Sequence, residues 1–343
     1  MPAEPPNRAA VLHGIGDLRI EELPRPEPGP NEVLVRIRSV GVCGSDVHYY
    51  EHGRIGDFVV DAPLVLGHES SGAVVGRGSA ATRHEIGQRV ALEPGVPCGV
   101  CRECRAGRYN LCPDVRFFAT PPIHGAFATY VVINEQYAYA LPEHVSDDAG
   151  ALLEPLSVGV WANRKAGTTV GSRVLVTGAG PIGILAALVA KASGAGHVMI
   201  TDVNADRLRQ SSELGIDEAL DGRENPDLAA REPDVLLECT GVAPVVRSGI
   251  LALAPAGRAV LVGMGAEADQ PLPVAAIQAR ELTVTGTFRY ANTYPEAIAL
   301  AASGRIPLDE LVGARLPLDR TEDALRMGHT DPSVLKTIVS LAG

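Results

Sequence analysis

At 343 residues, with 46% apolar and 21% charged side chains, the chain has material for two packed domains, and its composition excludes disorder and fibrous repeats. Thirty basic against forty-one acidic residues give a net charge of −11, the wrong sign for a protein that follows a nucleic-acid backbone, though one basic pocket could still hold a small anion. The longest uncharged stretch, 174–190, carries three glycines and Pro181, so it reads as strand, turn and helix start rather than as a membrane span.

In chain order, residues 8–150 show short β-type runs broken by Gly and Pro, with strands predicted at 32–40, 72–75, 89–92 and 128–133. From 173 the texture changes to apolar strand, turn and helix. Strands are predicted at 173–177, 197–201, 234–238, 258–262 and 282–285, with a short one near Ala219, and helices at 182–193 and 206–214. That alternation argues for a parallel, doubly wound sheet. A last strand is predicted at 335–340, and the C-terminal stretch is expected to return to the first domain. The start, MPAEPPNRAA, has no apolar segment after a basic one, so no secretory signal is expected. A soluble cytoplasmic protein is the expectation.

Four of six cysteines, Cys98, Cys101, Cys104 and Cys112, form C-x2-C-x2-C-x7-C. In a reducing compartment such clustering means metal more often than disulfides. Four thiolates on one loop can close a tetrahedral shell around a structural Zn²⁺. An iron–sulfur site remains the alternative because Pro113 follows Cys112, but the x7 spacing counts against it. A second, dispersed set comprises Cys43, His68, Glu69 and Glu154. Thiolate, imidazole and carboxylate suit a catalytic zinc, yet each residue also fits an ordinary structural role. Cys239 reads as a buried strand-end cysteine without a function.

The stretch RVLVTGAGPIG holds Gly178, Gly180 and Gly183 as G-x-G-x-x-G between a strand and a helix, with Asp202 ending the next strand. Gly178 would allow the tight turn, Gly180 the approach of a pyrophosphate, and Gly183 close helix packing. The helix N-terminus at Pro181 and Ile182 would offer N–H groups to the phosphates. Asp202 would accept the adenosine ribose hydroxyls and repel a 2′-phosphate, favouring NAD over NADP. Arg207 either flanks the adenine or is a solvated helix residue.

As a set, GHESSG, CGSDVH, the four-cysteine loop after RVALEPG and TGAGPIG resemble the zinc-dependent medium-chain alcohol dehydrogenases. HYYEHGRIGDF, RYNLCP, ALLEPLSVGV and FRYANTYP resemble its polyol branch, the sorbitol, L-iditol and xylitol dehydrogenases. The resemblance implies an α/β protein: a GroES-like catalytic domain over 1–153, a Rossmann NAD-binding domain over 154–287, and a return to the catalytic domain over 288–343, with the active site in the cleft. It implies two zincs per chain. Cys43, His68 and Glu69 match the catalytic ligands, and Glu154 the carboxylate that binds zinc directly or through water, where ordinary alcohol dehydrogenases have cysteine. Ser45 matches the hydroxyl that takes the substrate proton onward, His48 could hand it to solvent, and Asp46 would orient His68.

Tyr49, Arg289 and Tyr290 match substrate-contacting positions; as donors along a sugar chain they would penalise a plain alcohol. Val262, Met264 and Phe288 either line the nicotinamide pocket or pack in the core. The implied activity is an NAD-dependent oxidation of a polyol to a ketose (EC 1.1.1.-) by a homotetramer or homodimer with no nucleic-acid or membrane partner. The alternatives are a zinc dehydrogenase of another secondary alcohol, of threonine or butanediol type, and a non-catalytic NAD-binding protein.

Overall fold

The computed structural model describes residues 5–224, 227–265 and 269–341. The chain divides into two compact units, one formed by the chain up to Glu154 and again from Pro307, the other by Pro155–Ile306. Residues 288–306 therefore lie with the second unit. One reason is local: Arg164 donates to the backbone of Asn292 at 3.3 Å and pairs with Glu296 at 2.6 Å, holding that segment beside the helix Leu153–Ala166.

The first unit is built on a seven-stranded sheet. Its order is Ala138–Ala140, Arg89–Leu92, Glu69–Arg77, Glu32–Gly41, Lys336–Ser340 and Val312–Pro317, with Tyr130–Asn134 also paired to Glu32–Gly41. The central strand, EVLVRIRSVG, buries Val33, Val35, Ile37 and Val40 completely, and each such side chain contributes about 1.5–3 kcal/mol on leaving water. Antiparallel pairing with Glu69–Arg77 sets Gly41 opposite Glu69, and pairing with Lys336–Ser340 sets Gly41 opposite Ile338. Three distant parts of the sequence thus meet at one end of one strand. A smaller sheet orders Asp17–Glu22, Arg8–Gly14 and Leu64–Val65; the hairpin 8–22 lacked a strong alternation and was not among the predicted strands.

The second unit carries a six-stranded, wholly parallel sheet in the order Glu218–Asp221, His197–Asp202, Arg173–Thr177, Val235–Glu238, Arg258–Leu261 and Thr283–Gly286. After the third of these in sequence, Glu218–Asp221, the chain crosses back and lays Val235–Glu238 on the other side of the first, Arg173–Thr177, which is the doubly wound order that opens a crevice at the carboxyl ends of the strands. Buried on both faces, the strands read as near-continuous apolar runs: Val174, Leu175, Val176, Val198, Met199, Ile200, Leu236 and Leu237 are at most 1% exposed. The predicted parallel fold is the observed one, and the predicted elements are off by one or two residues at their ends, as with the helix Pro181–Ala192.

Candidate active site

Cys43 lies just beyond the strand Glu32–Gly41 and caps the helix Gly44–His52. That helix stops at Gly53, whose φ of +69° and N–H bond to the carbonyl of Tyr49 turn the chain away. Glu69 opens its own strand, with His68 before it. Ligand atoms of Cys43, His68 and Glu69 lie within 4.8 Å of one another, with His68 7% and Glu69 1% exposed. Space for the carboxylate exists because residue 41 has no side chain: a Cβ there would sit 2.1 Å from Glu69 Oε2.

The surroundings fit a cation. Asp46, fully buried, accepts from the N–H of Cys43 at 3.0 Å and of Gly67 at 2.8 Å, and its Oδ1 lies 3.6 Å from His68 Nδ1, too far for a good hydrogen bond but close enough to act through charge. Burial works against a charged His68 imidazole, yet Asp46 and Cys43 override it and raise its proton affinity well above the ordinary value. Glu69 Oε2 is buried with no hydrogen-bond partner among the described residues. A buried surplus of negative charge with an unused carboxylate oxygen is what a divalent ion would neutralise, and the donor set suits zinc. Phe117 packs its ring 5.7 Å from that of His68.

Glu154 is buried at the start of its helix but stands outside the three-donor cluster. Its charge reaches the site, being felt at both Lys336 and Glu93. Ser45 is half-buried, Tyr49 is buried, and His48 is exposed with its ring 4.7 Å from that of His52.

Cys98, Cys101, Cys104 and Cys112 form the second cluster, their sulfurs also within 4.8 Å of one another and none in a disulfide. Backbone N–H groups of Cys101, Cys104 and Cys98 point at the sulfurs of Cys98, Cys101 and Cys112, at 3.4, 3.5 and 3.4 Å. The N–H groups of Val100 and Cys101 lower the Cys98 thiol to about 7, whereas burial and the neighbouring Cys101 push Cys104 up to about 12. Four thiolates packed this closely need a cation, and a closed four-sulfur shell leaves no position for chemistry.

Glu93 ties this lobe down. Tyr109 and Tyr139 donate to its carboxylate at 2.7 and 2.9 Å. Burial pushes the Glu93 carboxyl up to about 7 against the two phenols, with the charge of Glu154 adding to the rise. A carboxyl that holds its proton more tightly when folded stabilises below its unfolded value near 4.5 and loses that contribution as pH climbs through about 7. Glu93→Gln is therefore expected to flatten the fall in Tm between those pH values, an effect of about 3 kcal/mol or less. Melting curves of the two proteins that stay parallel across the range would count against this.

In the second unit, Gly178 has φ +91°, and a Cβ on Gly183 would lie 1.8 Å from the Gly178 carbonyl oxygen, so helix and turn touch backbone to backbone. Around Gly180 nothing lies within 4 Å of where a Cβ would be, and the helix that follows, with Pro181 in its first turn, has no side-chain cap. Its first N–H groups, Ile182 among them, are free for an anion. Asp202 accepts from the N–H of Ala179 at 2.6 Å and of Asn204 at 2.8 Å, which holds the turn and the strand end together. Arg207 is not simply solvated, since its Nε is buried with no hydrogen-bond partner among the described residues.

Met264, at 72% exposed, and Phe288, at 43%, are not core residues, and Val262 is half-buried. The guanidinium of Arg289 lies 4.9 Å over the Phe288 ring, on a residue with φ +52°, a conformation costing a non-glycine residue about 1 kcal/mol or more. Tyr290 is buried, its ring 6.0 Å from that of Tyr294.

Residues 29–143 match the model of the alcohol dehydrogenase GroES-like domain, and 181–303 that of the zinc-binding dehydrogenases. Sorbitol dehydrogenase of Bos taurus is 48% identical over 331 residues, 94% of this chain and 93% of that one. Among solved structures, L-idonate 5-dehydrogenase of Escherichia coli superposes with a TM-score of 0.90 at 30% identity, covering 98% of both chains. The 2R,3R-butanediol dehydrogenase of Bacillus subtilis gives 0.90 at 31%, covering 97% of this chain and 99% of that one. The chain belongs to the zinc-containing medium-chain alcohol dehydrogenases. The family read from the motifs is the family that the relatives show.

Two residues of this zinc-binding dehydrogenase escaped the sequence reading. Lys336 is buried with its ammonium 2.6 Å from Glu69 Oε1 and 2.8 Å from the carbonyl of Val42. Burial opposes its charge, but Glu69, Cys43 and Glu154 outweigh that and raise its proton affinity. Glu238 is fully buried at the carboxyl end of its strand, accepting from the Thr177 hydroxyl at 3.2 Å, the Thr240 N–H at 2.9 Å, the Thr240 hydroxyl and the Gly241 N–H at 3.0 Å. Its carbonyl takes the N–H of Val262 and Gly263, so one residue gathers three loops of the dehydrogenase. Only their burial distinguishes them from surface charges, and no motif in the sequence signals it.

Proposed function

We propose that the protein is an NAD-dependent polyol dehydrogenase of the sorbitol or xylitol type, oxidising a secondary hydroxyl to a ketone with reduction of NAD, and carrying two zinc ions per chain. The observation that carries this reading is the buried cluster of Cys43, His68 and Glu69 in a chain 48% identical over 94% of its length to a sorbitol dehydrogenase. Zinc held by these residues, with Glu154 acting directly or through water, supplies the Lewis acidity that makes a bound hydroxyl a stronger acid. The second zinc is held by Cys98, Cys101, Cys104 and Cys112 and folds its loop.

The remaining work falls to the chain's own groups. Ser45, the second residue of the helix Gly44–His52, takes up the hydroxyl proton, and the exposed His48 passes it on to water. Asp46 keeps Cys43 and His68 in place through Gly67 and its own charge. Gly178, Gly180, Pro181, Ile182 and Gly183 hold the pyrophosphate, Asp202 selects NAD, Arg207 flanks the adenine, and Val262, Met264 and Phe288 line the nicotinamide. Tyr49, Arg289 and Tyr290 bind the further hydroxyls. Groups that hydrogen-bond those hydroxyls favour a polyol over a plain alcohol. The protein works in the cytoplasm as a homotetramer or homodimer.

The likeness to a butanediol dehydrogenase supports a second reading, a dehydrogenase of another secondary alcohol such as butanediol or threonine. The two separate on NADH formation from sorbitol, xylitol, L-threonine, 2,3-butanediol and ethanol, before and after chelation. Chelator-sensitive turnover of the sugar alcohols is the expected result. Turnover of butanediol or threonine alone would refute the polyol reading, and NAD binding without turnover of any substrate would refute the enzyme.

A further inference from the structure

Glu69 and Lys336 are separated by 267 residues in sequence and form an ion pair with side chains 1% and 5% exposed. Lys336 begins the strand that pairs with Glu32–Gly41, and the N–H of Val42 donates to the carbonyl of Thr337 at 2.9 Å. The lysine thus enters from the C-terminal segment directly behind Cys43. Stability alone does not account for a buried ion pair, because well-packed apolar residues commonly do as well. This pair is also asymmetric. Glu69 Oε1 is taken by the ammonium, while Oε2 has no hydrogen-bond partner among the described residues and occupies the space that the absence of a side chain at Gly41 leaves open.

We propose that Lys336 is a positioning residue for the catalytic metal: by fixing Oε1 of Glu69 it offers Oε2 alone, in one orientation, to an ion shared with Cys43 and His68. The inference rests on reading that cluster as a metal centre. A free carboxylate can rotate, chelate through both oxygens or swing away, and each alternative changes the coordination number. The ammonium, anchored in turn to the carbonyl of Val42, removes those alternatives. It also tempers the negative charge that a thiolate and a carboxylate bring to one buried ion.

The test is metal retention, read separately from activity. The zinc-loaded full chain is dialysed against a moderate chelator, and metal per chain and NADH binding are followed with time. Wild type is expected to hold two ions. Lys336→Met is expected to lose one of them with about 10- to 100-fold lower affinity, the scale found for groups that orient metal ligands, while the four-cysteine ion and NADH binding stay. In a Glu69→Gln background, adding Lys336→Met should cost nothing more, because the lysine acts through the carboxylate. Two ions held by Lys336→Met as tightly as by wild type would overturn the proposal, as would a further loss in the double variant beyond Glu69→Gln alone. If Lys336→Met does not fold, the double variant should regain folding by removing the unpaired carboxylate; its failure would show that Lys336 serves the strand and not Glu69. Only one ion per chain in wild type would refute the metal reading itself, and this inference with it.

Discussion

Cys43→Ser is expected to lower kcat/KM for the preferred polyol by roughly three orders of magnitude, about 4 kcal/mol of barrier, the scale of what a metal contributes to such a reaction. Serine keeps the shape and, as a helix cap, is a better residue than cysteine. The N–H of residue 43 still meets Asp46 at 3.0 Å, so the helix Gly44–His52 should form as before. What disappears is the thiolate, leaving an imidazole and a carboxylate that cannot hold an ion as firmly. The expected pattern is one metal per chain in place of two, unchanged NADH binding and a Tm close to that of wild type. Turnover at the wild-type rate would remove Cys43 from the chemistry, and a general collapse of Tm would assign it to folding.

Asp202→Asn is expected to weaken NAD binding by about 10- to 100-fold and to bring the preference for NAD over NADP toward unity. Hydrogen bonds to a charged acceptor contribute about 1.5–3 kcal/mol, and the two ribose hydroxyls would draw on one carboxylate. Loss of the charge also removes the repulsion of a 2′-phosphate. The carboxylate has a second duty, since it accepts from Ala179 at 2.6 Å and Asn204 at 2.8 Å. Asparagine can keep part of that support whereas alanine cannot, so Asp202→Ala should weaken NAD further and NADP as well. Measured dissociation constants for both dinucleotides separate the two duties. A ratio of NAD to NADP affinity unchanged in Asp202→Asn would assign selectivity to another residue.

What could be read along the chain was what is local. The four cysteines span fifteen positions, so chain connectivity alone keeps them near one another, and their spacing already implied a shared ion. The strand, glycine turn and helix over 173–192 are contiguous, and the apolar runs that flank them belong to a sheet buried on both faces. For the same reason the parallel fold was legible. The hairpin 8–22 was not, because its residues show no clean alternation of buried and exposed positions.

The dispersed set is a different case. Spacing left Cys43, His68 and Glu69 with ordinary roles open, and only the resemblance to a family brought them together. Strand pairing is what decides their meeting: the register that sets Gly41 opposite Glu69 is specified by contacts across the sheet and not by nearby sequence. Lys336 depends on a third strand, from the end of the chain, pairing with the other edge of Glu32–Gly41 at the same end. Burial of Glu238 and Lys336 likewise follows from what surrounds them once folded. By itself the sequence determined the sheet types, the four-cysteine loop and the dinucleotide turn, because short-range periodicity and spacing dictate them. The tertiary structure alone decided which distant charges share a buried site, because burial and pairing arise only when non-local strands pack.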